Sequence, residues 1–133
     1  MASVLRVLAV ASLLCISSGF SFAQITVAPV DGTTVTADTL ANSLLGANSG
    51  ITISNATYTG ANGASGTFSG GGPIIGIGGG VLMTSGTVTS VVGPNNNDGA
   101  GADNALPGDT DLSTLADDET FDASVLTITF VPT

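Results

Sequence analysis

Beyond residue 23 the chain has no basic side chain and no thiol: Arg6 is its only Lys or Arg, Cys15 its only cysteine, and it has no His or Trp. All ten of its carboxylates lie in that same stretch, from Asp31 to Asp122. No disulfide can staple the fold, so hydrophobic burial and backbone pairing must carry it. Large apolar side chains are few, with Tyr58, Phe68, Phe121 and Phe130 the only aromatics beyond residue 23. Gly, Ser, Thr, Asn and Ala fill the remainder, a composition that suits extracellular β structure better than a helical enzyme. The same charge balance excludes partners. With no basic patch to neutralise phosphates, nucleic acid is excluded, and anionic membranes repel the chain. Cations, glycans and other protein surfaces remain.

Residues 1–23 read as a secretory signal peptide. Arg6 precedes a short apolar run, Val7 to Ile16, and Ser21-Phe22-Ala23 places small residues at the −3 and −1 positions. The run is too short to span a bilayer, so cleavage is expected near Ala23-Gln24 and export to the extracellular space or cell surface follows. Residues 24–133 then form a single domain.

Within that domain Ile25 to Ala28 predicts a strand stopped by Pro29. A helix follows: Thr36 serves as N-cap, Asp38 lies in the first turn, and Ala37, Leu40, Ala41, Leu44 and Leu45 form an apolar stripe ahead of Gly46. The period then changes to two. Ile51 and Ile53 alternate with polar residues, and β-prone character continues through Thr59. Thr67-Phe68 extends the strand-forming pattern. Ile74, Ile75 and Ile77 predict a buried strand, the glycines Gly78 to Gly80 a bend, and Val81 to Thr84 its partner, with Val88 to Val92 prolonging it. Leu112 and Leu115 fit one helical turn. Val125 to Val131 is the clearest strand, with Leu126, Ile128 and Phe130 on one face. The fold class expected is mainly β, with sandwich-like antiparallel sheets and one short N-terminal helix. Because the chain stops directly after its best strand, an incomplete domain is expected.

Catalytic chemistry is scarce. Without His, Lys or Cys beyond Cys15, no triad, Schiff base or thiol nucleophile can be assembled, and His/Cys zinc sites are impossible. A carboxylate-only hydrolase using Asp117, Asp118, Glu119 and Asp122 is conceivable, but such clusters are more often solvated turns than acid/base pairs. The tract Gly76-Ile77-Gly78-Gly79-Gly80 lacks G-x-G-x-x-G spacing and any P-loop lysine. No catalytic or cofactor-binding residue is assigned, and the chain is not expected to be an enzyme.

Ca²⁺ is the one cofactor that the residue types suit. Eight carboxylates fall between Asp98 and Asp122, with Asn95 to Asn97 and Asn104 supplying neutral oxygens, and Ca²⁺ takes about six to eight oxygens. The candidate ligands are Asp98, Asp103, Asp109 and Asp111. Their spacing matches no standard loop: an EF-hand over Asp109 to Thr114 fails at its glycine, and Gly99 to Asp103 copies part of a calcium-binding nonapeptide only once. A solvated acidic loop is the alternative reading.

The order of segments carries a resemblance. A leucine helix ending Leu44-Leu45-Gly46 precedes GITISNATYTG, GTFSGG, IGIGGGVLMTSG, GPNNN, PGDTDLSTL and TFDASVLTITFVPT. In that order they resemble the N-terminal part of the choice-of-anchor L domain, from about Thr36 onward. The resemblance implies an exported, cell-surface or extracellular module in larger adhesin-like bacterial proteins, without established catalytic residues. It implies further strands after the F-V-P segment in relatives, so the chain is expected to be a partial copy that folds weakly alone. Function is expected to be a non-catalytic surface module of adhesion or display, or alternatively a Ca²⁺- or glycan-binding module using the acidic loop 93–122.

Overall fold

The computed structural model describes residues 24–93, 97–99 and 101–132; the segment 1–23, expected to be a signal peptide, and the candidate calcium-binding oxygens of Asn95 and Asn96 lie outside them. The chain is mainly β, with two antiparallel sheets. Strands β1 (Thr26–Pro29), β3 (Ser65–Ser69) and β4 (Gly79–Met83) form one sheet in the order β1-β3-β4. Strands β2 (Ile51–Thr59) and β5 (Val125–Pro132) form the other. The expected helix is α1 (Ala37–Ser43), the expected helical turn at Leu112–Leu115 lies in α3 (Thr110–Ala116), and the structure adds α2 (Gly72–Ile75) and a 3-10 helix over Val88–Val92.

Local chemistry sets up α1. Thr36 is the extended N-cap, its side chain accepting from the Thr39 N–H while Thr39 Oγ1 accepts from the Thr36 N–H, so two otherwise unpaired donors are satisfied reciprocally. Upstream, Asp31 Oδ1 accepts from the backbone N–H groups of Thr33, Thr34 and Val35 at 2.8, 2.7 and 3.1 Å. Those donors, Thr33 first and then Val35 and Thr34, hold the Asp31 carboxyl well below the usual carboxylate range against a smaller opposing effect of desolvation. The tight loop turns Val30 and Val35 inward together.

The core forms where α1 meets both sheets. Leu40 is fully buried and clusters with Val30 and Val35, against which Tyr58 of β2, Val81 of β4 and Leu126 of β5 pack. The cluster that Leu40 joins thus meets material from both sheets, which is why a seven-residue helix is stable here. The stripe is shorter than its periodicity implied. The helix ends at Ser43, and Leu44 is the C-cap and exposed to solvent, so it does not dock.

Pairing registers place the remaining strands. Tyr58 opposes Leu126 and Ile53 opposes Phe130, with a bulge in β2 between Ile53 and Asn55. In the first sheet Phe68 lies between Val27 and Gly80. The β1–β3 contact depends on Gly66, where a Cβ would stand 2.5 Å from the Ala28 carbonyl oxygen.

Four expectations are corrected. Ile74, Ile75 and Ile77 do not form a buried strand: Gly72–Ile75 is a helical turn with Pro73 as its second residue, closes on left-handed Gly76, and leaves all three isoleucines exposed. The partner of β4 is β3 instead, and Gly79 and Gly80 belong to β4 rather than to a bend. Val88–Val92 is a 3-10 helix that drives Val88 into the core, its N–H donating to the Gly63 carbonyl, and not an extension of β4. Finally Phe130, expected on the inner face of β5, is largely exposed.

Candidate functional site

From Gly101 to Ser124 the acidic segment is held together by its own carboxylates. Asp109 is the N-cap of α3, its Oδ1 accepting from the Asp111 and Leu112 N–H groups at 3.0 Å each. The helix closes at Asp117, which is left-handed (φ 53°) and donates its N–H to the Ser113 carbonyl. The chain then doubles back. The Thr120 N–H donates to Ser113 Oγ, while Thr120 Oγ1 accepts from the Asp109 N–H and donates to the Asp109 carbonyl. Pro107 and Phe121 form a β-bridge beside this contact.

Asp122 holds the base of the loop. Its two oxygens accept from the N–H groups of Asn104 (3.0 Å) and Leu106 (2.8 Å), and its own N–H donates to the Leu106 carbonyl. Between them Ala105 is left-handed (φ 52°), an unfavourable setting for a residue with a Cβ, and its N–H is held by Asp103 Oδ1 at 2.8 Å. The whole unit is tied to both sheets. Asn104 Nδ2 donates to the Ser85 and Gly86 carbonyls just after β4. Ser124 Oγ donates to the Thr84 carbonyl and stands 3.2 Å from the Tyr58 hydroxyl of β2.

Each candidate metal ligand can now be placed. Asp103 and Asp109 hold backbone N–H groups of their own loops. Asp111 lies in the first turn of α3, and Asp98 is exposed in the turn at 97–99. Asp109 and Asp111 share one helix terminus, but among the described residues no three acidic side chains gather where they could hold a metal ion. The residues that organise the segment most are Asp122, which the sequence offered only as a hydrolase carboxylate, Asn104, offered only as a neutral oxygen for Ca²⁺, and Ser124, which it did not mark at all. Their partners lie 16 to 66 positions away, so no local pattern could have marked them.

With the polar groups turned to the backbone, large apolar side chains face outward. Leu112 is 53% exposed, Leu115 84% and Phe121 65%. An open groove of about 340 Å³ runs between Met83, Leu112 and Phe121, with Asp122 and Ser124 also on its wall. The carboxylates of Asp111, Asp117, Asp118 and Glu119 are exposed, and the described residues contain no base to answer them. No helix among the described residues is long and apolar enough to cross a membrane.

Comparison with known proteins bears on what such a unit is. Neither the curated proteins nor the solved structures contain a match to the chain. A family model, that of the choice-of-anchor L domain, matches residues 26–133, which takes in every strand and helix described above. The family is of a non-catalytic, surface-module kind. The chain belongs to the choice-of-anchor L domain family and is a cell-surface-associated module.

Proposed function

We propose that the chain is an exported, non-catalytic interaction module, working in adhesion or surface display as part of an adhesin-like assembly. The observation that carries this reading is how the acidic segment distributes its groups. Asp103, Asp109 and Asp122 are committed to backbone N–H groups, whereas Leu112, Leu115 and Phe121 are presented to solvent. Catalytic carboxylates need a protonation state and position set for a substrate; carboxylates that cap turns hold a surface in shape. Large exposed apolar side chains are what interaction surfaces display. In this reading residues 1–23 are removed on export and residues 24–133 form the domain.

The test is binding without turnover. The purified chain is applied to immobilised extracellular-matrix proteins and to a glycan array, with and without Ca²⁺, and is assayed in parallel on a panel of glycoside and ester substrates. Saturable binding with no hydrolysis above background is expected. Hydrolysis that disappears in an Asp→Asn variant at Asp117, Asp118 or Asp122 would overturn the non-catalytic reading. Mass spectrometry of the exported protein is expected to give Gln24 as its first residue.

A further inference from the structure

We propose that β5 is a self-pairing strand: two copies of the chain join their β5 edges antiparallel about a two-fold axis at Ile128, making one continuous sheet in the order β2-β5-β5-β2. The inference goes beyond the interaction-module reading and does not depend on it. Among the described residues β5 pairs with β2 alone, so its other edge offers a row of backbone donors and acceptors to a further strand. The other edges are protected. The 3-10 helix lies beside β1, β2 carries the bulge between Ile53 and Asn55 and packs against α1, and β4 opens with two glycines. β5 has none of these devices. It is eight residues long, regular and uncharged, with its single proline at the last position.

What fits that edge is written in β5 itself. Val125-Leu126-Thr127-Ile128-Thr129-Phe130-Val131 reads nearly the same in both directions about Ile128. Antiparallel pairing centred there sets Val125 against Val131, Leu126 against Phe130, Thr127 against Thr129 and Ile128 against itself. Every side chain then meets its own kind, as a two-fold interface requires. Centring on Thr127 instead sets Ser124 against Phe130 and Val125 against Thr129, and the match is lost. The pairing also accounts for Phe130. Alternation places it with Leu126 and Ile128, yet it is 54% exposed, while Leu126 packs against the core. In the pair, Leu126 of the second copy comes alongside Phe130. Charge does not oppose this contact, since none of the ten carboxylates lies in β2 or β5. Two strands alone make a marginal sheet, and pairing the copies doubles it.

Sedimentation equilibrium of the full chain is expected to show monomers and dimers in a concentration-dependent balance. Thr127 and Thr129 are exposed, so charges placed there test the pairing with little effect on the single chain. Thr127→Glu with Thr129→Glu sets Glu against Glu at both threonine pairs and is expected to weaken dimerisation roughly tenfold or more. Thr127→Lys with Thr129→Lys is expected to do the same, and mixing the two variants to restore dimers that contain one of each. Thr127→Glu with Thr129→Lys opposes unlike charges only when the pairing is centred on Ile128. This variant is expected to dimerise at least as well as the parent, and it keeps the test available should a like-charged variant not fold. Hydrogen exchange of the unsubstituted chain gives a second reading: amides in residues 125–131 are expected to gain protection as concentration rises, while those of β4 do not. A chain that stays monomeric up to its solubility limit, dimers indifferent to all these charges, or protection that rises in β4 and not in β5 would each overturn the proposal. Matrix or glycan binding by a strictly monomeric chain would leave the module reading standing.

Discussion

Replacing Asp122 tests whether the acidic segment is held by its own carboxylates. In Asp122→Ala the N–H groups of Asn104 and Leu106 both lose their acceptor. The site is half-buried, so water answers part of the loss, and each bond is worth about 1 kcal/mol. Residue 122 also sits at φ 53°, where Asp and Asn are tolerated and Ala costs about 1 kcal/mol more. The expected total is roughly 2–3 kcal/mol. Asp122→Asn separates the two effects: it tolerates the backbone conformation and keeps one oxygen, so its cost is expected at about 1 kcal/mol. Urea unfolding can be followed by the fluorescence of Tyr58, the chain's only tyrosine and one without a tryptophan to mask it. Its hydroxyl stands beside Ser124, two residues from the substitution. A shift in midpoint at constant slope gives the free-energy change. A cost below about 0.5 kcal/mol for Asp122→Ala, or equal costs for the two variants, would refute the argument.

Three other outcomes follow from the structure. Leu40→Ala is expected to lower stability by about 2–5 kcal/mol, because the emptied space lies where α1 meets both sheets; a loss under about 1 kcal/mol would mean that Leu40 does not join them. Since folding depresses the Asp31 pKa, its contribution is present above the unfolded value near about 4 and is lost as pH falls through the lower folded value. Acid unfolding curves of Asp31→Asn should therefore be shallower below about pH 4 than those of the parent, and superimposable curves would sink this reading. Because Asp98, Asp103, Asp109 and Asp111 do not converge in one group, millimolar Ca²⁺ is expected to leave the melting temperature unchanged. Stabilisation of about 2.7 kcal/mol or more, as for a ligand at 100 times its Kd, would show a calcium site after all.

Features whose cause is local could be read from the chain. The Thr36 cap, the Asp38 first turn and inward Leu40 are decided within one helical turn, and α1 appears where they place it. Alternation in Ile51–Thr59 and Val125–Pro132 likewise predicts β2 and β5, because period-two side chains need one face to bury. Apolar runs bounded by glycines were read less well. Ile74 to Ile77 carries strand-forming residues, but Pro73 and left-handed Gly76 confine it to one short helical turn, and nothing covers the isoleucines among the described residues. Val88–Val92 shows the reverse: its β-branched residues take a 3-10 form so that Val88 can reach the core.

The same division runs through the acidic segment. The Leu112–Leu115 spacing foretold a helical turn there, since helix periodicity acts over three or four residues. Nothing in that stretch foretold that Asp122 would grip Asn104 and Leu106, or that Asn104 and Ser124 would fasten the loop to the end of β4. The amino-acid sequence alone determined the chain's charge, its lack of thiols and bases, and its locally encoded strands and turns. Only the tertiary structure decided which carboxylates became backbone clamps and which leucines stayed outside. Those outcomes depend on where distant backbone donors are brought, and a hydrogen-bond acceptor carries no record of its partner's position in the chain.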